Sequence, residues 1–330
     1  MRSSLTRPLE HASAPMTSDQ PVSFASKVIW WLTNDPRCFK RASQTGDQRV
    51  SWLRAVPFLA VHAGCLLVFW VGVSEVAVAC AVAFFVLRMF FITAFYHRYF
   101  SHRAFQASRA FQFVMALLGC TAAQRGPLWW AGHHREHHAH PDTIDDPHSP
   151  THRGFLYSHT LWFLTPGSFA VPPNRVGDWI RFPELRWLEK FDWIPFVTFA
   201  AGCWGLGVWL ESSAPGLGTS GAQLFVWGAV VSTVVLYHAT YTINSLAHKF
   251  GHRAFPTNDD SRNNALLAVL TLGEGWHNNH HYFPAAARQG FLWWQLDLTF
   301  LGLRLLAALG LVRALRPVPT RVLKAARAPR

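Results

Sequence analysis

The sequence predicts an all-α integral membrane protein with four transmembrane helices in two hairpins and a cap of cytoplasmic helices. Half of the 330 residues are hydrophobic and only 15% are charged, with 16 Trp and 26 Phe, which is typical of a membrane protein. Lys and Arg are absent from two long windows, residues 55–87 and 191–248. Each window begins with one apolar run and continues into a second, so each corresponds to one hairpin.

Four apolar runs are long enough to cross a hydrocarbon core of about 30 Å at about 1.5 Å per residue. We predict the spans at residues 55–73, 76–96, 192–210 and 222–243. Ser74 and Glu75 form the first outer turn, and residues 211–221, a Ser/Gly/Pro loop, form the second. Arg88 lies late in the second span, where we expect its side chain to extend towards the cytoplasmic headgroups.

The formal net charge is +12, but its distribution argues against a nucleic-acid partner. All 30 basic residues lie outside the two windows, and basic residues held to one side of apolar segments follow the positive-inside rule. We therefore expect both termini and the basic loops to face the cytoplasm, against the anionic headgroups of the lipid bilayer.

Three regions are expected along the chain. Residues 1–27 are polar and without hydrophobic period, so we predict a disordered N-terminal tail. Residues 28–318 form the membrane domain, and residues 319–330 form a basic C-terminal tail. Within the domain, residues 104–123 and 155–169 are apolar but interrupted by charge or by Pro and Gly. We expect both to be re-entrant or interfacial rather than spanning.

Histidines form a pattern that core packing does not explain. The stretches 134–138 and 277–281 each hold three histidines on one helix face, because residues three and four apart are neighbours there. A looser pair precedes them, and one more histidine follows the fourth span. The candidate metal ligands are His97, His102, His134, His137, His138, His248, His277, His280 and His281. Neutral imidazole suits Fe, Zn, Cu or Ni, and nine ligands exceed one ion's coordination, so two metals fit the number.

Spacing suggests how these ligands are divided. His97 and His102 are five residues apart, or about 140° around a regular helix, so we expect them to serve different metals. Asn244 lies one turn before His248 and could orient a ligating water or imidazole. His62 and His238 lie inside spans, where we expect them to hydrogen-bond between helices.

Two other sequence motifs are rejected. Residues 216–221 match GxGxxG but lie in an outer loop with no preceding strand. Residues 133–137 match the HxxEH motif of some zinc peptidases. A zinc peptidase site would leave the other histidine groups unexplained.

Three histidines are left outside the ligand set. His133, His140 and His148 flank the second histidine group, and we expect them beside the ligands.

Four boxes together resemble the membrane delta-9 fatty acyl desaturases, the stearoyl-CoA desaturase family. The boxes are His97-Arg98-Tyr99-Phe100-Ser101-His102, Trp130 with His134-Arg135-Glu136-His137-His138, Asn244-Ser245-Leu246-Ala247-His248, and Gly273-Glu274-Gly275-Trp276-His277-Asn278-Asn279-His280-His281. The match covers roughly residues 50–315, in order, spacing and flanking residues. Residues 146–148, 153–155 and 158–159 also resemble the segment that follows the family's second box.

The resemblance implies four spans, a cytoplasmic di-iron centre and O₂-dependent insertion of a cis double bond into a saturated acyl chain. It implies that the nine histidines bind the irons and that Asn244 holds a water on one of them. Gln124, Trp130 and Thr240 match positions that line the bend of the family's acyl tunnel. We expect the membrane to be a bacterial inner membrane.

The sequence leaves the acyl carrier and the electron donor open. No redox domain is evident, so two electrons must come from a ferredoxin, a cytochrome b5-like protein or a rubredoxin with its reductase. A basic cytoplasmic face suits such an acidic carrier. Animal members have Lys and Arg for coenzyme A after the position of His159, whereas residues 161–169 contain none. An acyl-CoA and an acyl chain on a membrane lipid therefore both remain possible substrates.

Three kinds of protein other than a desaturase could also carry histidine groups of this kind. A related di-iron hydroxylase of lipid or alkane would use similar boxes, although the Gly-Glu-Gly-Trp lead-in favours a desaturase. A histidine-rich metal transporter should place its ligands at mid-membrane, whereas these clusters lie at helix ends. The zinc peptidase is the most distant alternative.

Overall fold

The computed structural model describes residues 23–39 and 48–327. Four helices in this part are long and apolar enough to cross a membrane: span 1 Trp52–Val71, span 2 Glu75–Ser101, span 3 Trp193–Ser213 and span 4 Gly221–His248. Short connections join spans 1 and 2 and spans 3 and 4, giving two hairpins. The predicted fold class, an all-α integral membrane protein with four spans, is confirmed.

The turn between spans 1 and 2 forms because its residues stop one helix and start the next. Gly72 has a φ of +69°, a conformation that costs a glycine little. Ser74 then caps span 2, since its hydroxyl accepts the Ala77 N–H at 3.1 Å. Glu75 in the first turn of span 2 complements the helix dipole.

Spans 2 and 4 are longer than predicted, and both end in a non-α-helical segment on the histidine-bearing side. Span 2 is a π-helix over Phe91–Ser101. Span 4 contains a π-helical segment, Leu224–Val231, and ends in a 3₁₀ turn, Leu246–His248. These extensions carry His97 and His248 beyond the predicted span ends at residues 96 and 243.

Arg88 does not extend to the headgroups, so that expectation was wrong. Its side chain is 2% exposed and donates to the Thr233 hydroxyl at 2.6 Å, to the Ser232 hydroxyl and to the Thr121 carbonyl at 3.2 Å. Span 4 thus supplies hydroxyl acceptors inside the bundle, and the guanidinium satisfies its donors there.

The other helices form a cap on the histidine-bearing side. They are α1 Phe24–Leu32, α2 Arg109–Cys120, α3 Pro127–Ala139, α4 Pro183–Lys190, α5 Ala265–Leu270, α6 His277–Tyr282, α7 Leu298–Ala308 and α8 Thr320–Arg327. A single turn covers Pro150–Arg153, and strands β1 Gln106–Ala107 and β2 Val312–Arg313 pair antiparallel. At 12 residues, α2 is too short to cross a bilayer. Residues 155–169 contain the short turns Tyr157–Leu161, Trp162–Leu164 and Pro166–Ser168.

The predicted tails are only partly within the described residues. Residues 1–22 and 328–330 lie outside them. Helix α1 begins at Phe24, inside the last four residues of the predicted disordered tail, because the Ser23 hydroxyl caps it by accepting the Ser26 N–H at 3.1 Å. Helix α8 occupies most of the predicted basic tail. The division into tails and domain stays a prediction.

The main core lies where the π-helical end of span 2 meets α2 and α3. Tyr96 and Phe100 of span 2 are fully buried there, with Met115 of α2 and Leu128 of α3. Gly119 lies directly on the Tyr96 ring, so a Cβ at that position would collide with it. This packing fixes α3, which carries three of the candidate ligands, against span 2, which carries His97.

Candidate metal centre

Five predicted ligands from three chain segments form one cluster. Span 2 and its C-terminal edge provide His97 and His102, α3 provides His134 and His138, and α6 provides His280. One ring nitrogen from each lies within 4.8 Å of the others. The cluster therefore has five imidazole donors facing a common point.

The expectation that His97 and His102 serve different metals was wrong, since both belong to this cluster. The α-helical geometry behind it does not hold, because residues 91–101 are π-helical. The His102 N–H bonds the His97 carbonyl at 3.2 Å, the i→i+5 bond of a π-helix, which returns residues five apart to nearly the same face.

The other four predicted ligands form a second cluster. Its members are His137, His248, His277 and His281, with one nitrogen of each within 4.8 Å of the others. Helices α3 and α6 thus supply both clusters, because each carries adjacent histidines that point to different sides. All nine candidate residues are accounted for by two clusters of five and four.

The nitrogen distances fit metal ions better than hydrogen bonds. The His280 Nε2 lies 3.1 Å from the His97 Nε2 and 2.9 Å from the His138 Nε2. In the second cluster, the His248 and His277 Nε2 atoms are 3.0 Å apart. One N–H cannot serve two facing nitrogens, whereas ligands about 2.1 Å from one ion lie about 3 Å from each other. The residues present therefore fit two metal ions.

Four of the imidazoles are oriented by carboxylates on their outer nitrogens. The His248 Nδ1 donates to Asp142 at 2.7 Å, the His137 Nδ1 to Asp146 at 2.8 Å, and the His281 Nδ1 to Asp259 at 3.0 Å. The His97 Nδ1 contacts Glu274. A proton held on Nδ1 leaves the Nε2 lone pair free towards the cluster, as in many metalloproteins.

Burial sets the protonation of these groups. It lowers the pKa of six imidazoles, and neighbouring histidines lower it further: His102, His134, His138, His277, His280 and His281. Burial also lowers the pKa of His137, but the Asp146 charge outweighs it and raises that pKa. For Glu274, burial is outweighed by His97 and Arg98, which hold its pKa at about 2. These six imidazoles are thus held neutral beside an ionised Glu274, as metal binding requires.

Sequence reasoning missed the carboxylates as functional residues. Asp142 and Asp146 follow the second histidine group within ten residues, and Glu274 precedes His277 by three. Acidic residues so close to metal-ligand groups were an available signal. Asp259 offered none, because it lies 22 residues before His281 in sequence and meets it only in the fold.

The sequence comparison decides the family. Residues 75–313 match the fatty acid desaturase family. The chain belongs to that family. This desaturase is accordingly an oxidoreductase that acts on fatty acyl chains.

Three relatives with named activities illustrate the range of the family. The desaturase is 37% identical over 277 residues to an sn-1 stearoyl-lipid 9-desaturase of Anabaena variabilis, covering 82% of this chain and 95% of the relative. It is 33% identical over 270 residues to an sn-2 palmitoyl-lipid 9-desaturase of Nostoc, covering 80% and 90%. It is 36% identical over 313 residues to an acyl-CoA 5-desaturase of Anemone leveillei, covering 93% and 88%.

A mostly apolar cavity of about 410 Å³ leads to the first cluster of the desaturase. Its walls include the three residues singled out by the resemblance, Gln124, Trp130 and Thr240, and it reaches His134. The Gln124 side-chain amide donates to the Thr240 hydroxyl at 3.0 Å. Asn244 lines this cavity and a smaller one, and the smaller one is also lined by His97 and His134 of the first cluster and by His137 and His277 of the second.

Several other histidines of the described chain have partners near the clusters or between the spans. His148 stacks on His137 with ring centroids 4.5 Å apart, and the His133 ring bonds the Ala170 carbonyl at 3.1 Å. As expected, His62 and His238 hydrogen-bond between spans 1 and 4, with their Nε2 atoms 3.1 Å apart. The His238 Nδ1 also meets His159 at 3.0 Å, which the sequence did not indicate.

Proposed function

We propose that this desaturase uses two iron ions and O₂ to insert a cis double bond, at the delta-9 position, into a saturated acyl chain. The observation that carries the proposal is the pair of histidine clusters, with an apolar cavity that reaches His134 of the first cluster and a smaller cavity lined by histidines of both. The reaction balances when –CH₂–CH₂– and O₂ take up two electrons and two protons and yield –CH=CH– and two waters. The electrons come from outside the chain.

The nine histidines are the proposed iron ligands, five for one ion and four for the other. When bound, the irons with O₂ would supply the oxidising power needed to break unactivated C–H bonds. Asn244 lies beside His277 in the wall of the smaller cavity, a position suited to holding a water near the four-histidine cluster. The carboxylates Asp142, Asp146, Asp259 and Glu274 keep the ligand imidazoles oriented.

The cavity residues determine where the chain is oxidised. Gln124 and Thr240, joined by their hydrogen bond, and Trp130 would form the bend that presents one methylene pair to the clusters and pre-shapes it for a cis product. The largely apolar walls exclude water from the reacting carbons. Two relatives are named 9-desaturases, which supports delta-9, whereas a third is named a 5-desaturase.

We place the site in a bacterial inner membrane and on its cytoplasmic side, and the charge pattern supports the cytoplasmic side. The windows without Lys or Arg, residues 55–87 and 191–248, include the outer turns of both hairpins, and the basic residues accompany the histidine side. Both termini would then be cytoplasmic. A basic face would attract an acidic electron carrier of the ferredoxin, cytochrome b5 or rubredoxin class, working with a reductase.

The decisive experiment is expression in a host that lacks unsaturated lipids, with a reductase and carrier supplied. We expect cis-monounsaturated chains, with the double bond located at carbon 9 by mass spectrometry of derivatised lipids. A hydroxylated product would instead support the related hydroxylase. Unchanged lipids, despite protein that retains iron, would refute the desaturase proposal.

A further inference from the structure

The two clusters differ in the groups that contact the outer nitrogens of their histidines. In the second cluster, the four-histidine cluster, three of the four Nδ1 atoms each donate to an aspartate, through the pairs His137–Asp146, His248–Asp142 and His281–Asp259. The Nδ1 of His277 has no hydrogen-bond partner in the part of the chain that the structure describes. Most ligands of this cluster therefore have a carboxylate behind them.

The first cluster, the five-histidine cluster, has one such carboxylate. Glu274 contacts the His97 Nδ1, and the Gln289 side-chain nitrogen lies 3.3 Å from the same atom and 3.4 Å from the His280 Nδ1. Among the described residues, no carboxylate forms an ion pair with the other four ligands, which are His102, His134, His138 and His280. At His280 a neutral amide occupies the place that an aspartate has in the four-histidine cluster.

The carboxylates also differ in their own partners. Besides imidazoles, the partners that the described chain offers the three aspartates are backbone N–H groups and hydroxyls. Their side chains are 5% exposed or less. Glu274 instead shares a guanidinium, because Arg98 donates to it at 2.9 Å and to Asp297 at 3.0 Å. Arg98 thus offsets part of the Glu274 charge, while no basic side chain does so for the aspartates in the described structure.

Negative charge behind a ligand changes which oxidation state of a bound iron is favoured. A carboxylate that accepts the Nδ1 proton makes the imidazole a stronger donor to the metal. Its charge also attracts a ferric ion more strongly than a ferrous ion. Both effects make the ion harder to reduce, since hydrogen bonding around the ligands tunes the potential of an iron site. Burial increases the effect, because little water is present to screen the charges.

We propose that Asp142, Asp146 and Asp259 make the four-histidine cluster the harder of the two to reduce, so that the first electron remains at the five-histidine cluster. In this step a one-electron carrier is oxidised, and its electron reduces the ion beside His97 and His134 from ferric to ferrous, with no bond formed or broken. The aspartates are positioning residues that act through their histidines. The inference rests on the proposed function, which supplies the two irons and the external carrier.

An anaerobic redox titration of the full-length protein measures the order of reduction. Protein loaded with an excess of ⁵⁷Fe and held in lipid nanodiscs is reduced stepwise, and Mössbauer spectra give the ferrous fraction at each potential. We expect two separate one-electron steps, with one ferrous and one ferric ion per protein at half reduction. Reduction of both ions in a single step would overturn the proposal.

Two substitutions identify which cluster takes which electron. Asp142→Asn removes one charge from the four-histidine cluster, and its amide can keep the hydrogen bond to His248. We expect it to make the second step alone easier, by about tenfold in the ferrous-to-ferric ratio at a fixed potential, which is about 59 mV for one electron. Gln289→Glu adds a charge beside His97 and His280, and should make the first step alone harder.

The matched control is Asp145→Asn, an exposed position in the same loop as Asp142, and it should move neither step. Either test substitution decides the order by itself, so loss of iron from one variant leaves the test intact. Movement of the first step by Asp142→Asn, or of the second by Gln289→Glu, would overturn the proposal. The two expected steps in protein that makes no double bonds would refute the proposed function alone.

Discussion

The contribution of the carboxylates can be measured with Asp142→Asn. One oxygen of Asp142 accepts the His248 Nδ1–H at 2.7 Å and the Asp260 N–H at 2.8 Å, while the other accepts the Ser149 hydroxyl at 3.1 Å. The asparagine oxygen can keep the first two bonds, and its amide can donate to Ser149. The substitution therefore removes the charge and retains the geometry.

The expected loss is about tenfold in affinity for the ion in the four-histidine cluster. Replacing such outer partners of metal-bound histidines typically costs 10–100-fold, and the lower end applies because the hydrogen bond to His248 survives. Tenfold corresponds to about 1.4 kcal/mol. Asp145→Asn is the matched control, since Asp145 lies three residues away in the same loop and is exposed.

The assay is iron per protein after dialysis against a graded series of chelator concentrations. Wild-type protein and the Asp145→Asn control should lose iron together, and Asp142→Asn should lose one of two equivalents at about tenfold less chelator. If Asp142→Asn retained both ions wherever the wild type does, the argument that this carboxylate strengthens its histidine would fail.

Three further substitutions test other parts of the site. His280→Ala should abolish activity and lower bound iron, because its nitrogen faces two other ligands; full iron and full activity would remove it from the ligand set. Thr240→Val removes the hydrogen bond to Gln124, and we expect a mixture of double-bond positions by mass spectrometry, whereas one unchanged position would exclude this pair as the bend. Burial raises the pKa of Glu189 to about 7 from 4.5, so the folded protein keeps a proton that the unfolded chain releases. Stability should therefore fall by about 3 kcal/mol as pH rises from 4.5 to 7, and Glu189→Gln should flatten this dependence in thermal unfolding in detergent; an unchanged slope would contradict it.

The spans could be predicted from sequence because the bilayer imposes a local requirement. Any segment that crosses it needs about 20 apolar residues, so the run from residue 55 to 73 located the helix Trp52–Val71 within a few residues. Six of the nine histidines, those in residues 134–138 and 277–281, stand out for a similar reason. Their spacings of three and four make them neighbours on a helix, without knowledge of the fold.

The division between clusters could not be predicted in this way. A π-helix has no simple sequence signal, and its presence over Phe91–Ser101 moved His102 to the side of His97. The contact between Asp259 and His281 likewise depends on how the chain folds back after span 4. The direction of the Arg88 side chain was predicted wrongly because its hydroxyl acceptors lie on another helix, 144 and 145 residues later. No local sequence pattern indicates such acceptors.

Arg88 also has a consequence for how the protein is made. A lone arginine in the middle of a helix opposes membrane insertion by about 2.5–3.5 kcal/mol, and its Ser232 and Thr233 partners are synthesised about 145 residues afterwards. At a synthesis rate of about 5–20 residues per second, the Arg88 guanidinium lacks its span 4 acceptors for roughly 7 to 30 seconds after span 2 is made. The first hairpin should therefore remain near the translocation machinery, and open to chaperones and proteases, until the second hairpin emerges.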